Sequence, residues 1–231
     1  IPKEGYFAHR VMWDGWVDVE KSRTHILGHW NYADGTKKNV YVVSSADKVE
    51  LFINGLSKGF GVRSSRFLHT FKGIDWQPGE IKAVGYNASG NAVSQDTKRT
   101  SGKPAAIRLS LMTGPDGLRA DGSDVALVEV EVVDAKGARC PTALDMIDFS
   151  LSGEAEWRGG IAQGPDNFIL AKSLPVEGGV NRVLIRSTTR SGKIRLDAAA
   201  KGLKFASVVL VSNPVRVFEG LSFSFPSDRL P

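Results

Sequence analysis

Lys48–Gly59 reads KVELFINGLSKG, and this stretch indicates how the whole chain folds. Apolar side chains at positions 49, 51 and 53 alternate with the residues between them, which is the period of two of a strand with one buried face. Asn54 and Gly55 follow at once, and both tolerate the positive φ of a tight turn between antiparallel strands. The stretch therefore predicts a β-hairpin, in which Asn54 and Gly55 serve the turn rather than any chemistry.

The same alternation recurs along the rest of the chain, in short runs separated by turn residues. Strands are predicted in the first half at His25–Gly28, Asn39–Ser45, Lys48–Asn54, Ser57–Val62, Phe67–Ile74, Glu80–Asn87 and Ala92–Thr100. In the second half they are predicted at Ala105–Met112, Asp124–Asp134, Ile147–Leu151, Glu154–Ile161, Arg182–Thr189, Lys193–Ala200 and Phe205–Ser212. Short strands at this spacing are typical of β-sandwiches of the immunoglobulin type.

The domain boundary is predicted at Thr97–Pro104, TKRTSGKP, because the stretch is polar, charged and contains Gly and Pro. We expect a first sandwich over residues 21–101, a second over 102–214, and a tail over 215–231 with no visible partner strand. Ahead of them, Ile1–Trp16 has aromatic and apolar residues at three- and four-residue spacing, which predicts a short helix within residues 1–20. The predicted fold class is all-β: two tandem immunoglobulin-like sandwiches behind a short N-terminal helix.

Bulk composition is that of an ordinary soluble globular protein, with 231 residues, 42% hydrophobic and 24% charged. The sequence has no apolar run of about 18 residues, so no membrane span is predicted. The formal net charge of +5 is mild and its basic residues are spread along the chain, which argues against nucleic-acid binding. The chain begins with Ile1 rather than Met, and we expect a fragment or a processed chain.

Residue types that carry chemistry give no site in this sequence. Cys140 is the only cysteine, so neither an intrachain disulfide nor a cysteine-based zinc site is expected, and it is interpreted as a small semi-buried residue. The four histidines show no metal-ligand spacing, so no metal and no cofactor are predicted. Glu129 and Glu131 share one face of a predicted strand. We interpret this pair as a solvated strand face, because an acid/base pair needs a pocket and two different environments.

Four separated stretches carry a family resemblance. They are IPKEGYFAHRVMW (Ile1–Trp13), the region from HWNYADG to KVELFINGLSKG (His29–Gly59), WQPGEIKAVGY (Trp76–Tyr86), and the region from GKPAAIRL to ARCPTA (Gly102–Ala143). In this order they resemble the region after the catalytic barrel in glycoside hydrolase family 2 enzymes of the β-galactosidase type. The loop Gly153–Asn167 departs from the family pattern, and no ligand role is carried over to it.

The resemblance implies that residues 1–20 are the remnant of the last helix of a (β/α)8 barrel. It also implies that both catalytic glutamates of a retaining glycosidase lie on that barrel, upstream of Ile1, since such an enzyme needs two carboxylates about 5 Å apart. The chain itself would then hold no catalytic residue. Its implied partner is the upstream catalytic barrel of the same polypeptide, and the parent enzyme would cleave terminal β-galactosides or β-glucuronides in the periplasm or outside the cell.

Two roles for the chain stay open at this stage. One is structural, in which the sandwiches position the barrel or build a homo-oligomer. The alternative is carbohydrate binding by exposed aromatic side chains that stack on sugars, with Trp30, Tyr32, Trp76 and Trp157 as the candidates. Core packing is the favoured interpretation of Trp30 and Tyr32, because large aromatic side chains are mostly buried.

Overall fold

The computed structural model describes residues 2–17, 22–160, 166–218 and 221–222. The chain divides into two compact units, Ile1–Thr100 and Ser101–Pro231. The first unit begins with one helix, α1 (Glu4–Val17). The helix predicted at Ile1–Trp16 is therefore confirmed, with slightly different bounds. Within the described residues, no helix has the length and hydropathy that crossing a membrane requires.

Eight strands build the rest of the first unit: β1 (Thr24–Ile26), β2 (Lys37–Ser44), β3 (Lys48–Ile53), β4 (Leu56–Phe60), β5 (Val62–Ser65), β6 (Leu68–Asp75), β7 (Glu80–Tyr86) and β8 (Ala92–Arg99). They form two antiparallel sheets in the orders β1-β2-β6-β5 and β4-β3-β7-β8. Alternate residues of both sheets meet in one core, as the period of two requires. Its members include Val40, Val42, Val49, Leu51, Ile53, Phe71, Ile81 and Ala83.

The predicted hairpin lies where β3 turns into β4. Asn54 and Gly55 have φ values of 49° and 81°, so both central residues of the turn are left-handed, as the sequence indicated. The Asn54 side chain also ties the turn to the next hairpin. Its Oδ1 accepts a hydrogen bond from the Glu80 N–H at 2.8 Å, and its Nδ2 donates one to the Pro78 carbonyl at 3.1 Å.

One predicted strand, Ser57–Val62, is wrong as a single element. The structure ends β4 at Phe60 and starts β5 at Val62, and the two strands belong to different sheets. The chain passes between the sheets at Gly61, where a Cβ atom would lie 2.7 Å from Phe71 Cζ and 3.2 Å from His69 Cβ. A glycine is needed at this crossing because the backbone runs directly against buried side chains.

The second unit contains eleven described strands: β9 (Pro104–Met112), β10 (Leu118–Ala120), β11 (Val125–Asp134), β12 (Met146–Gly153), β13 (Ala155–Gly160), β14 (Ser173–Pro175), β15 (Val180–Ser187), β16 (Gly192–Ala199), β17 (Ala206–Pro214), β18 (Val217–Phe218) and β19 (Leu221–Ser222). Two sheets form the sandwich, in the orders β10-β17-β16-β12-β14 and β13-β15-β11-β9. Their shared core includes Val128, Val130, Ile147, Leu174, Val183, Ile185, Ile194 and Leu196.

The all-β fold of two sandwiches is thus confirmed, and the differences lie in its smallest elements. β10 and β14 are three-residue strands that were not predicted, since so short a run carries no readable period. The sequence showed no partner strand for the tail, and in the structure β18 and β19 pair with each other. Cys140 is buried rather than semi-buried, with 2% of its surface exposed, and burial raises the pKa of its thiol.

Candidate interface and cavity at the N-terminal helix

One face of the helix α1 packs against the rest of the first unit. Val11 is 2% exposed, and the Phe7 ring stacks on the His25 imidazole at 4.4 Å between centroids and 20° between planes. Gly15 allows the last turn to approach closely, because a Cβ atom at this position would lie 2.7 Å from Ser45 Cβ. Tight contact along three turns fixes this face of the helix against β1 and β2.

Charged side chains reinforce the same contact. Glu4 hydrogen-bonds His25 Nε2 at 2.9 Å, and His25 Nδ1 lies 3.3 Å from Asp96 on β8. Burial by itself raises the pKa of Glu4, but the hydrogen bond with His25 and the nearby charge of Lys98 outweigh it, so that this pKa lies below its ordinary value. Glu4 is therefore held as a carboxylate, which keeps the start of α1 attached to the sandwich.

The opposite face of α1 is apolar and exposed. Tyr6 is 52% exposed, Trp13 66%, Trp16 56% and Val17 67%. Trp16 touches the rest of the unit through an edge-to-face contact with Phe67, at 5.7 Å between ring centroids, and through the Arg66 guanidinium, which lies 5.2 Å from the centre of its ring. An isolated exposed apolar residue is ordinary on a protein surface, whereas aromatic side chains grouped on one helix face are typical of an interaction surface.

A cavity of about 270 Å³ lies beside the packed face of α1. Two apolar side chains, Phe7 and Val11, contribute to its wall, and the other lining residues are polar or charged. They are Arg10, Ser22, Arg23, Thr24, His25, Ser94 and Gln95. Sequence reasoning missed this set, because its members come from three segments, lie up to 88 positions apart and carry no motif.

The predicted sugar-stacking residues do not form one platform in the structure. Trp30 is 2% exposed in the core of the first unit, and its indole N–H donates to the Gln77 carbonyl at 3.0 Å. Tyr32 and Trp76 pack against that core, and Trp76 donates to the Trp30 carbonyl. Trp157 lies in the second unit, 5.4 Å from Phe149. The sugar-binding role of these four residues stays a prediction. Each of them makes a packing contact, as the core-packing interpretation expects.

The paired carboxylates of β11 are held by arginines. Glu131 lies directly opposite Arg108 of β9 and accepts two hydrogen bonds from it, at 2.7 and 2.9 Å. Glu129 lies opposite Arg182 of β15 and accepts a pair of the same kind. These carboxylates therefore belong to cross-strand ion pairs. In the described part of the chain, no group of three His, Cys, Asp or Glu side chains is arranged as metal ligands.

Comparisons with known proteins show which family models and which relatives this chain matches. Residues 109–209 match the family described as glycoside hydrolase family 2 C-terminal domain 5, and residues 35–94 match a domain of unknown function, DUF4982. A β-glucuronidase of Formosa agariphila is 42% identical over 227 residues, and a β-galactosidase of Bacteroides ovatus is 32% identical over 211 residues. The chain is covered to 98% and 89% by these alignments, but it spans only 22% and 24% of the length of the two relatives.

A solved structure gives the same result in three dimensions. It is a β-glucuronidase from glycoside hydrolase family 2, with a TM-score of 0.91 and 41% identity, and the match covers 98% of this chain and 23% of that one. The fold places the chain in the class of tandem β-sandwich domains. The chain corresponds to the C-terminal region of a glycoside hydrolase family 2 enzyme, and residues 109–209 belong to the C-terminal domain 5 family.

Proposed function

We propose that this chain is the non-catalytic accessory part of a retaining β-glycosidase, and that α1 attaches it to the catalytic barrel. The observation that carries the proposal is the two-sided character of α1. One face is fixed to the first sandwich by Phe7, Val11 and Gly15, while the other exposes Tyr6, Trp13 and Trp16. A helix shared by two domains transmits the position of one to the other, which is a structural role.

The free energy of aromatic burial favours a partner that covers the exposed face of α1. Burying one large aromatic side chain stabilises a contact by roughly 2–3 kcal/mol, so three of them contribute about 6–9 kcal/mol before the ordering costs of the contact are subtracted. Covering this face with a further domain of the same polypeptide avoids the entropy that two separate molecules lose on association. This supports the preceding barrel as the partner.

The proposed substrate class rests on the relatives, which are named β-glucuronidase and β-galactosidase. We propose a parent enzyme that acts on one of these two classes of β-glycoside. Hydrolysis with retention needs two carboxylates about 5 Å apart in different environments. Glu129 and Glu131 are each bound by an arginine on an open sheet face, so this pair supports a silent accessory role for the chain.

Two measurements test the accessory role. The purified 231-residue chain should not hydrolyse 4-nitrophenyl β-D-glucuronide or 4-nitrophenyl β-D-galactoside, and measurable turnover of either would overturn the proposal. The intact mass of the native gene product should exceed that of this chain by at least a barrel, roughly 250 residues. A native product near 25 kDa would show that the sandwiches act without a barrel.

The role of α1 is tested by a matched pair of variants. Trp13 and Leu56 are 66% and 67% exposed in this chain, so Trp13→Ala and Leu56→Ala should both change its free energy of unfolding by less than about 1 kcal/mol. In the native full-length product, Trp13→Ala should cost about 3 kcal/mol, as expected for a buried Trp, while Leu56→Ala stays near neutral. Equal small effects of both variants in the full-length product would contradict attachment through α1.

A further inference from the structure

The hydroxyl groups of Ser22, Thr24 and Ser94 form the floor of the cavity beside α1, and they belong to one hydrogen-bonded circuit. Starting at the Arg23 N–H, the circuit runs through the hydroxyls of Ser45, Ser22, Ser94, Thr24 and Ser44 and ends at the Arg23 carbonyl. Ser94 lies 70 positions from Thr24 and 72 positions from Ser22 in the sequence, so the circuit joins β1 and the segment just before it to β8.

The circuit has a direction, which follows from its two ends. Arg23 donates its N–H to Ser45 Oγ at 2.9 Å, and the Ser44 hydroxyl donates to the Arg23 carbonyl at 3.1 Å. A hydroxyl has one proton to donate, so each hydroxyl in between must pass its proton to the next. The contacts of Ser94 Oγ, at 3.2 Å to Ser22 and 2.7 Å to Thr24, fit this order.

The floor therefore offers acceptors and no donors. Ser22 and Ser94 both line the cavity, and each uses its proton inside the circuit but keeps a second lone pair. Gly85 leaves the space that these hydroxyls occupy, because a Cβ atom there would lie 2.7 Å from Ser94 Oγ and 2.8 Å from Thr24 Oγ1. A ligand group that meets this floor must bring its own O–H or N–H donors.

The wall next to the floor offers positive charge. Arg10 and Arg23 line the cavity, and no carboxylate side chain is among the described residues that line it. Asp14 forms an ion pair with Arg23 and lies at the limit of contact with Arg10, with 4.0 Å between Arg10 Nε and the carboxylate. Asp14 thus supplies one negative charge for two guanidinium groups, and Arg10 is the less closely paired of the two. A guanidinium group favours a carboxylate or phosphate in its plane.

We propose that this cavity binds a sugar acid, that is, a polyhydroxy carboxylate such as a terminal uronate residue of a saccharide. The carboxylate meets Arg10, the sugar hydroxyls donate to Ser22 and Ser94, and Phe7 and Val11 provide an apolar wall for the C–H groups of the pyranose. A binding function of this kind goes beyond the attachment role, and it can be measured on the 231-residue chain alone.

The chemistry separates this ligand from two simpler ones. A neutral glycoside satisfies the hydroxyl floor but brings no carboxylate for Arg10. Inorganic phosphate satisfies Arg10 but cannot supply the several O–H donors that the floor accepts. The proposal therefore requires that methyl β-D-glucuronide bind more tightly than either methyl β-D-glucoside or inorganic phosphate.

The test is an NMR or calorimetric titration of the 231-residue chain with these three probes at one ionic strength. We expect saturable binding of methyl β-D-glucuronide, and binding about tenfold weaker or worse for the other two, the loss expected for one charge-assisted hydrogen bond. Equal affinity for the glucoside or for phosphate would overturn the sugar-acid assignment. The absence of saturable glucuronide binding would overturn the site.

Variants locate the site. Arg10→Gln should weaken glucuronide binding by about tenfold and leave the glucoside unaffected, because it removes the charge alone. The control is Arg99→Gln, which removes an exposed arginine of the same unit outside the cavity. Ser94→Ala opens the floor and should weaken both sugars, with Ser64→Ala as its surface control. Unchanged glucuronide affinity in folded Arg10→Gln would exclude this cavity, whatever the outcome of the tests of attachment.

Discussion

At the scale of single residues, His69 has the most unusual environment for a titratable group. It lies on β6 with 1% of its surface exposed, and neither ring nitrogen has a hydrogen-bond partner among the described residues. Burial lowers the pKa of His69 below its ordinary 6.5, and the positive charge of Arg63 lowers it further. The folded protein therefore holds a neutral imidazole in its core.

A pH dependence of stability follows. Below about pH 6.5 the unfolded chain takes up a proton on His69 that the folded chain refuses, so the free energy of unfolding falls as the pH falls towards the lower, folded pKa. The slope is at most about 1.4 kcal/mol per pH unit for one proton. Thermal unfolding of the first unit should shift to lower temperature between pH 7.5 and 5.5, and His69→Leu should flatten this shift.

His9 provides the control for this measurement, because it is exposed and hydrogen-bonds only the Gly5 carbonyl within its own helix. His9→Gln should keep the full pH dependence. His29 contributes in the same direction, since burial and the charge of Lys38 lower its pKa as well. A His69→Leu variant with the slope of the unmodified chain would refute the assignment.

At the scale of elements, two glycines of α1 separate helix formation from helix docking. Gly5 has open space around it, whereas a Cβ atom at Gly15 would lie 2.7 Å from Ser45 Cβ and 3.2 Å from the Phe67 ring. Gly5→Ala should stabilise α1 by about 0.5–1 kcal/mol through the helix propensity of Ala. Gly15→Ala brings the same propensity gain but pushes the last turn away from the sheet.

Hydrogen exchange of the backbone amides of Glu4–Val17 checks this pair. We expect slower exchange in Gly5→Ala and faster exchange in Gly15→Ala, because undocking removes the tertiary contacts that give a short helix most of its stability. Slower exchange in both variants would mean that propensity alone governs α1, and that the contact with Ser45 and Phe67 is unimportant.

The outer face of the sheet β13-β15-β11-β9 is a second case at this scale. Three arginines lie directly opposite glutamates in the register, as Arg108–Glu131, Arg182–Glu129 and Arg186–Glu156. Arg182→Glu should destabilise the second unit by about 1 kcal/mol, because it sets like charges opposite each other. Adding Glu129→Arg should restore most of this loss. Urea unfolding at low and at high salt measures the effect, which should shrink with salt. An additive double variant would show that the pair is not coupled.

At the scale of the whole molecule, each unit has a core made of its own residues. The core of the first unit is drawn from residues 26–83, and that of the second from residues 107–210. Since a domain with its own core folds alone, residues 101–231 should unfold cooperatively when produced separately. Trp157 is the only tryptophan of that piece, and its contact with Phe149 makes its fluorescence a direct probe. A gradual spectral change with urea, like that of a Leu196→Asp control, would contradict an independent fold.

The sequence by itself determined the architecture. The alternation in KVELFINGLSKG and in DVALVEVEVVD placed β3 and β11, and Asn54-Gly55 placed the turn, because both signals depend only on neighbours within a few residues. The resemblance in order along the chain indicated the glycoside hydrolase family, which the comparisons confirmed. No sequence pattern indicated the three-residue strands β10 and β14 or the crossing between sheets at Gly61.

Only the tertiary structure decided what lies beside what. It placed Trp30 in the core, left the aromatic face of α1 exposed, and brought Ser22 and Thr24 together with Ser94 and Gln95 around one cavity. Local periodicity fixes which side of a strand is apolar, but the neighbours of that strand are chosen by packing across whole sheets. A cavity that joins residues 70 positions apart is a product of that packing, so no pattern along the chain could have indicated it.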